Sequence, residues 1–257
     1  MSKTLLVVVA VLISMASLAY GQATVAQLPE DLAKKTISLN PEFLVFGKDG
    51  VNKNEKLPLV IFLHGAGGVG DQIRRIEGQP RHFLQTIAKA GMRCLCVAPQ
   101  AVKSPRKHGD KGGWIPADLD LFISHLKKNL PVDDKRIYLT GNSMGGYGAY
   151  AWAAKSPDHF AAIAPMVGGL GAGGPKDVTK ELDQWGENLA KIPMQAYYGE
   201  NDRVVPADRG EMILKTIKKA GGKKAKVIVL LGEGHGAGRV PFGDVAFVKW
   251  MFAQKKN

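Results

Sequence analysis

From Ile37 onward, short uninterrupted apolar runs alternate along the chain with longer stretches in which apolar residues recur at helical spacing. Residues 43–46, 59–63, 92–98, 136–140, 160–166, 194–198 and 226–231 read as strands. Between and after them, 80–90, 116–130, 146–154, 182–189, 207–220 and 245–254 read as helices. In 116–130 the apolar positions Leu119, Leu121, Phe122, Leu126 and Leu130 recur at helical spacing. Strands that are apolar on both faces, each followed by a helix, predict an α/β fold: a mostly parallel central sheet covered on both sides. Ligands in such sheets bind beyond the carboxyl ends of the strands. Those ends fall at His64, Gln100, Ser143, Gly168, Gly199 and Gly232. The stretch after the glycine-rich segment 168–174 is too short for a separate lid domain, which predicts an open site.

One of these ends carries a chemical pattern. Gly141-Asn142-Ser143-Met144-Gly145 stands where the β-type run Arg136-Ile137-Tyr138-Leu139-Thr140 stops and the apolar helix beginning at Gly146 starts. A serine flanked in this way on a strand-to-helix turn forms a nucleophile elbow, where larger residues two positions to either side would clash with the turn.

A serine hydroxyl needs a base to take its proton and a third group to orient that base. On this architecture the partners follow in the order serine, acid, histidine. His235, in Gly232-Glu233-Gly234-His235-Gly236, is the histidine that lies late in the chain after a strand. His82 and His108 precede the elbow, and His125 and His159 read as structural or solvent-facing. Tyr198-Gly199-Glu200-Asn201-Asp202 leaves a strand end between Ser143 and His235. Asp202 is the expected acid, with Glu200 as the alternative and Asp208 as a helix-start residue. A tetrahedral intermediate also needs donors for its oxygen. The Met144 N–H lies at a helix N-terminus. A second donor is expected from His64-Gly65-Ala66-Gly67-Gly68, from Ala66 or alternatively Gly67, with His64 as a brace for that loop.

Together these segments resemble the α/β-hydrolase superfamily from about Leu57 to the C-terminus. Two stretches, Pro58-Leu59-Val60-Ile61-Phe62-Leu63-His64-Gly65-Ala66-Gly67 and Asp134-Lys135-Arg136-Ile137-Tyr138-Leu139-Thr140-Gly141-Asn142-Ser143-Met144-Gly145-Gly146-Tyr147-Gly148, are similar to the secreted, lid-poor esterases. That group spans phospholipase/carboxylesterase-like, feruloyl and polyhydroxybutyrate-depolymerase-like enzymes and a predicted-peptidase subgroup. The resemblance implies Ser143, Asp202 and His235 as a triad acting on carboxylic esters without cofactor or metal. A peptidase on the same scaffold and a non-catalytic binding protein are the competing readings. Dienelactone hydrolases share the fold but use a cysteine nucleophile, and neither cysteine here is at the elbow. Asn142 stands where this group often has an apolar residue, and Gly236-Ala237-Gly238-Arg239 lacks an aromatic common there.

Composition adds boundaries. The chain has 257 residues, 45% apolar and 23% charged, enough for one α/β domain. Lys3 followed by the apolar run 5–13 and the small-x-small segment Ala19-Tyr20-Gly21 predicts a cleaved export signal over 1–21, with Gly21-Gln22-Ala23 as an alternative cut. The run is short for a membrane span. An N-terminal segment, 22–36, would then precede a catalytic domain over 37–257. An exported, periplasmic or secreted monomer without stable membrane insertion is expected. Cys94 and Cys96, two apart on a strand, read as buried thiols rather than a disulfide. The net charge of +12 is spread without a nucleic-acid module, so no nucleic-acid partner is expected. The basic loop 103–114 ends in Trp114, a candidate stacking surface for a sugar or aromatic acyl group beside a small or polymeric ester, and Gly67 is a second candidate contact.

Overall fold

The computed structural model describes residues 20–52, 54–103, 113–171, 174 and 177–256. Among these residues eight strands form one sheet: β1 (Thr24–Gln27), β2 (Leu39–Phe46), β3 (Leu57–Leu63), β4 (Leu95–Ala101), β5 (Val132–Asn142), β6 (Ala162–Met166), β7 (Met194–Gly199) and β8 (Ala225–Leu230). Their spatial order is β1-β2-β4-β3-β5-β6-β7-β8, with the first two pairings antiparallel and the rest parallel. This is the α/β-hydrolase architecture. The helices are α1 (Glu30–Ala33), α2 (Arg81–Lys89), α3 (Pro116–Asn129), α4 (Met144–Lys155), α5 (Leu182–Leu189), α6 (Asp208–Lys219) and α7 (Val245–Phe252). No lid domain occurs among the described residues. None of their helices is long and apolar enough to cross a membrane.

The alternation of side chains along a strand divides the core in two. Leu59, Ile61 and Leu63 of β3 point into one layer with Phe122 and Leu126 of α3, Trp152 of α4 and Ile213 of α6. Val60 and Phe62 point the other way, toward Phe83 of α2 and Phe247 of α7. All seven residues of β3 are buried, and a fully buried aliphatic side chain contributes ~1.5–3 kcal/mol. The central strand is therefore a rigid base for whatever leaves its end.

Two boundaries differ from the sequence expectation. Segment 22–36, set apart from the catalytic domain, supplies β1 at the sheet edge, paired from Thr24 opposite Val45 to Gln27 opposite Glu42. β4 runs three residues later than expected and continues through Pro99 and Gln100. Cys94 and Cys96 are buried, free thiols in the same layer. Burial pushes the Cys94 thiol up to about 12 and holds Cys96 well above the usual thiol range. Residues 1–19 of the expected signal and the basic loop over 104–112 lie outside the described residues. Tyr20 is packed against β4: its hydroxyl accepts from the Cys94 N–H at 3.1 Å and lies 3.2 Å from Cys94 Sγ.

Candidate active site

The turn from β5 into α4 sets the nucleophile candidate. Ser143 has φ 55° and ψ −116°, in a region an L-residue with a Cβ rarely occupies. The surrounding glycines explain how the chain tolerates it. A Cβ on Gly141 would lie 2.6 Å from the Gly145 backbone and 2.7 Å from the Leu63 carbonyl. One on Gly145 would run into the Leu63 carbonyl, and one on Gly146 would come within 2.5 Å of the Met166 carbonyl. Side-chain-free backbone thus lets α4 start directly against the ends of β3 and β6. The Ser143 N–H donates to Met166 at 2.9 Å, fixing the turn.

His235 follows β8 at the start of the 3-10 segment His235–Gly243. Its Nε2 stands 2.9 Å from Ser143 Oγ, and its Nδ1 stands 2.8 Å from Asp202 Oδ2. The carboxylate can only accept, so Nδ1 carries the proton toward Asp202 and Nε2 is free to accept from the serine. Asp202 Oδ1 accepts the backbone N–H groups of Val204 at 2.8 Å and Val205 at 3.0 Å. The Asp202 side chain is fully buried while that of His235 keeps 30% of its surface exposed. The acid is thereby held by the protein and the imidazole faces the open side of the sheet. The two loops are pressed together, since the Asn201 N–H donates to the Glu233 carbonyl at 2.8 Å and a side chain on Gly199 would strike Gly234. Glu200, the alternative acid, turns away to accept the Gly232 N–H at 2.9 Å. Asp208 begins α6 and pairs with its neighbour Arg209.

Met144 is the first residue of α4, so its N–H is among those with no partner within the helix. Ala66 and Gly67 are exposed on the turn that leaves β3. A Cβ at the preceding Gly65 would lie 3.7 Å from Ser143 Cβ, which places this turn beside the serine. His64 braces the turn: its Nδ1 lies 2.7 Å from the Gly65 carbonyl, and its Nε2 accepts the Ala101 N–H at 2.9 Å. Burial lowers its pKa to about 4, so it is neutral, with the proton on Nδ1.

Trp114 requires a correction. It is only 8% exposed, its Nε1 donates to the His64 carbonyl at 3.3 Å, and its ring fills the space left by Gly148. Its ring is packed inside the protein, where it supports the turn from within. Two other polar groups went unassigned in the sequence. Tyr147, one turn along α4 from Ser143, has a buried hydroxyl with no hydrogen-bond partner, and burial pushes its pKa up to about 12. Asn142 Oδ1 is likewise buried without a partner, against Gly238, where any side chain would strike it. The two departures noted in the sequence, Asn142 and the segment after His235, therefore meet in space.

The dienelactone hydrolase family model matches residues 98–238, more than half of the chain, from within β4 to the turn after His235. The chain belongs to the dienelactone hydrolase family. Its elbow carries serine, so the cysteine of the enzymes that lend the family its name is not a feature of this member. Among curated relatives, the feruloyl esterase C of Emericella nidulans is 27% identical over 68% of this chain and 60% of its own length. The probable feruloyl esterase C of Aspergillus terreus is 26% identical over 72% of this chain and 64% of its own. The chain thus spans less than two thirds of the length of these relatives. Among solved structures, a thermostable esterase superimposes with a TM-score of 0.71 at 25% identity, over 94% of this chain and 64% of that one. A ferulic acid esterase from Anaeromyces mucronatus, solved with ferulic acid, superimposes with a TM-score of 0.66 at 16% identity, over 91% of both chains, a likeness of fold.

Proposed function

We propose that the protein is an exported serine hydrolase that cleaves carboxylic esters through an acyl-enzyme. The observation that carries this reading is the unbroken relay from Ser143 Oγ through His235 to Asp202, at 2.9 and 2.8 Å, on a strained elbow. His235 takes the Ser143 proton as Oγ attacks the ester carbonyl, and the N–H groups of Met144 and Ala66 receive the charge that develops on oxygen. His235 then returns the proton to the leaving alcohol. Water attacks the acyl-enzyme by the same route in reverse. Asp202 keeps the imidazole in the tautomer that accepts from serine and stabilises its charged form. The esterase names of the relatives support ester over amide as the scissile bond, and point to aromatic acyl esters of the feruloyl type as first substrates to try.

The experiment is turnover of p-nitrophenyl esters of graded acyl length and of methyl ferulate, beside peptide anilides, by purified protein and its Ser143→Ala variant. Ester turnover lost in the variant is expected. Turnover of anilides alone would make the protein a peptidase. An inert protein whose Ser143 escapes a fluorophosphonate probe would be a binding scaffold.

A further inference from the structure

The turn carrying Ala66 and Gly67 is gripped from behind by the end of β4, and the grip centres on one amide. Gln100 is fully buried in β4. Its Nε2 donates to the carbonyls of Gly68 at 2.9 Å and Gln72 at 3.2 Å. Its Oε1 accepts from Asn40 Nδ2 at 2.8 Å, and Asn40, on the neighbouring strand β2, also donates to the Asp71 carbonyl at 3.1 Å. The amide of Gln100 thus has a single workable orientation, because a flip would set its oxygen against two carbonyls. The next residue adds two more ties: the Ala101 N–H goes to His64, and the Ala101 carbonyl accepts the Gly70 N–H at 3.0 Å.

Gly68 is where these ties converge. A Cβ there would lie 2.5 Å from His64 Nδ1, so the imidazole rests on its Cα while Gln100 holds its carbonyl. The Gly68 N–H donates to the Gly65 carbonyl at 2.9 Å, closing the turn beside Ser143. A polar side chain at a fully buried position costs free energy unless its hydrogen bonds are made. Here each of them but the one to Asn40 goes to the backbone of this turn and its continuation.

We propose that Gln100, oriented by Asn40, is a positioning residue that fixes where the Ala66 and Gly67 N–H groups stand relative to Ser143. The proposal rests on the serine-esterase reading. Oxyanion donors act only if preorganised, and a displacement of ~1 Å costs roughly 100-fold in rate. The grip therefore acts on the transition state and leaves ground-state binding of the ester nearly untouched.

The test compares wild type with Gln100→Glu and Asn40→Ala for p-nitrophenyl acetate turnover, inhibition by phenylboronic acid and thermal unfolding. Glutamate is isosteric but presents an acceptor where two carbonyls need a donor. The expected result is a roughly 10–100-fold fall in kcat with KM changed by less than about 3-fold, and boronate affinity falling in step with kcat. Protonation restores one donor, so the ratio of Gln100→Glu to wild-type kcat is expected to rise between pH 8 and pH 5. A folded Gln100→Glu enzyme with unchanged kcat and boronate affinity, or with only KM or melting temperature altered, overturns the proposal. Should that variant not fold, Asn40→Ala decides alone: about a 3–10-fold parallel fall in kcat and boronate affinity supports it, and no fall sinks it. An inactive wild type, unlabelled at Ser143 by a fluorophosphonate, fails the esterase reading and the proposal with it; an active wild type with unaffected variants fails the proposal only.

Discussion

Gly145 lies backbone to backbone on Leu63, so close that a β-carbon at residue 145 would be driven into the Leu63 carbonyl. The contact joins the start of α4, which carries Met144, to the end of β3, from which the turn carrying Ala66 leaves. Gly145→Ala is expected to force them apart. We predict a loss of at least ~100-fold in ester turnover, with destabilisation of ~1–3 kcal/mol from overpacking. Turnover on p-nitrophenyl acetate and urea unfolding check it; an alanine variant with wild-type activity would mean that the elbow is looser than the packing shows.

The division of labour between two neighbouring carboxylates gives a second prediction. Asp202 Oδ2 receives His235, whereas Glu200 caps the Gly232 N–H. Asp202→Asn keeps an acceptor oxygen for Val204 and Val205 but no longer enforces the imidazole tautomer. Its kcat is expected to fall by about 10⁴ with little change in melting temperature. Glu200→Gln should stay within about twofold of wild type, since surface substitutions of this kind are usually small in effect. The reverse ranking would make Glu200 the acid.

The reason Asp202 and His235 were legible in the sequence is that both follow strand ends in a fixed chain order after a recognisable turn. The same holds for the strands: a parallel strand buried on both faces is an unbroken apolar run, and α5 begins and ends at the residues its periodicity marks. Where the pattern failed, long-range pairing decided. The apolar run beginning at Met92 suggested a strand ending at Ala98, but pairing of Leu59 with Leu95 and Ile61 with Val97 sets β4 later. Gln100 looks like a strand-ending polar residue until β2 brings Asn40 beside it, sixty residues away in the chain. Strand β1, Thr-Val-Ala-Gln, is too short and polar to stand out. Trp114 looked like a binding surface because no local signal says that Gly148 leaves a slot for it.

His64 supplies a pH prediction. Its pKa is about 4 in the folded protein against about 6.5 in an unfolded chain. Between these values the unfolded chain binds more protons, so stability rises with pH. The contribution is complete above pH 6.5 and is lost as pH falls toward 4, an effect on the order of 3 kcal/mol at most. Urea unfolding of wild type and His64→Gln across pH 4–7 reads it directly: the wild-type curve should be the steeper. Equal slopes would show that protonation of His64 does not oppose folding.

Tyr20 bears on where the proposed export signal would be removed. The sequence pattern alone favours a cut after Gly21 or Ala23, yet either cut would discard a side chain that the fold uses. The Tyr20 hydroxyl accepts the Cys94 N–H and meets Cys94 Sγ, and its ring rests on Gly47, whose φ of 77° and missing Cβ leave room for it. Losing it would strip the buried Cys94 N–H of its partner and uncover part of the layer beneath. Ser17-Leu18-Ala19 also offers small residues at the two positions a signal peptidase reads, and cleavage there leaves Tyr20 as the first residue. On the export reading proposed above, the mature protein is expected to begin at Tyr20, as read by intact mass and N-terminal sequencing. Purified forms beginning at Tyr20 and at Gln22 should differ by ~2 kcal/mol, or ~4–8 °C in melting temperature, the longer being the more stable. A secreted form starting at Gln22 or Thr24 with undiminished stability would show that Tyr20 contributes nothing to the mature fold.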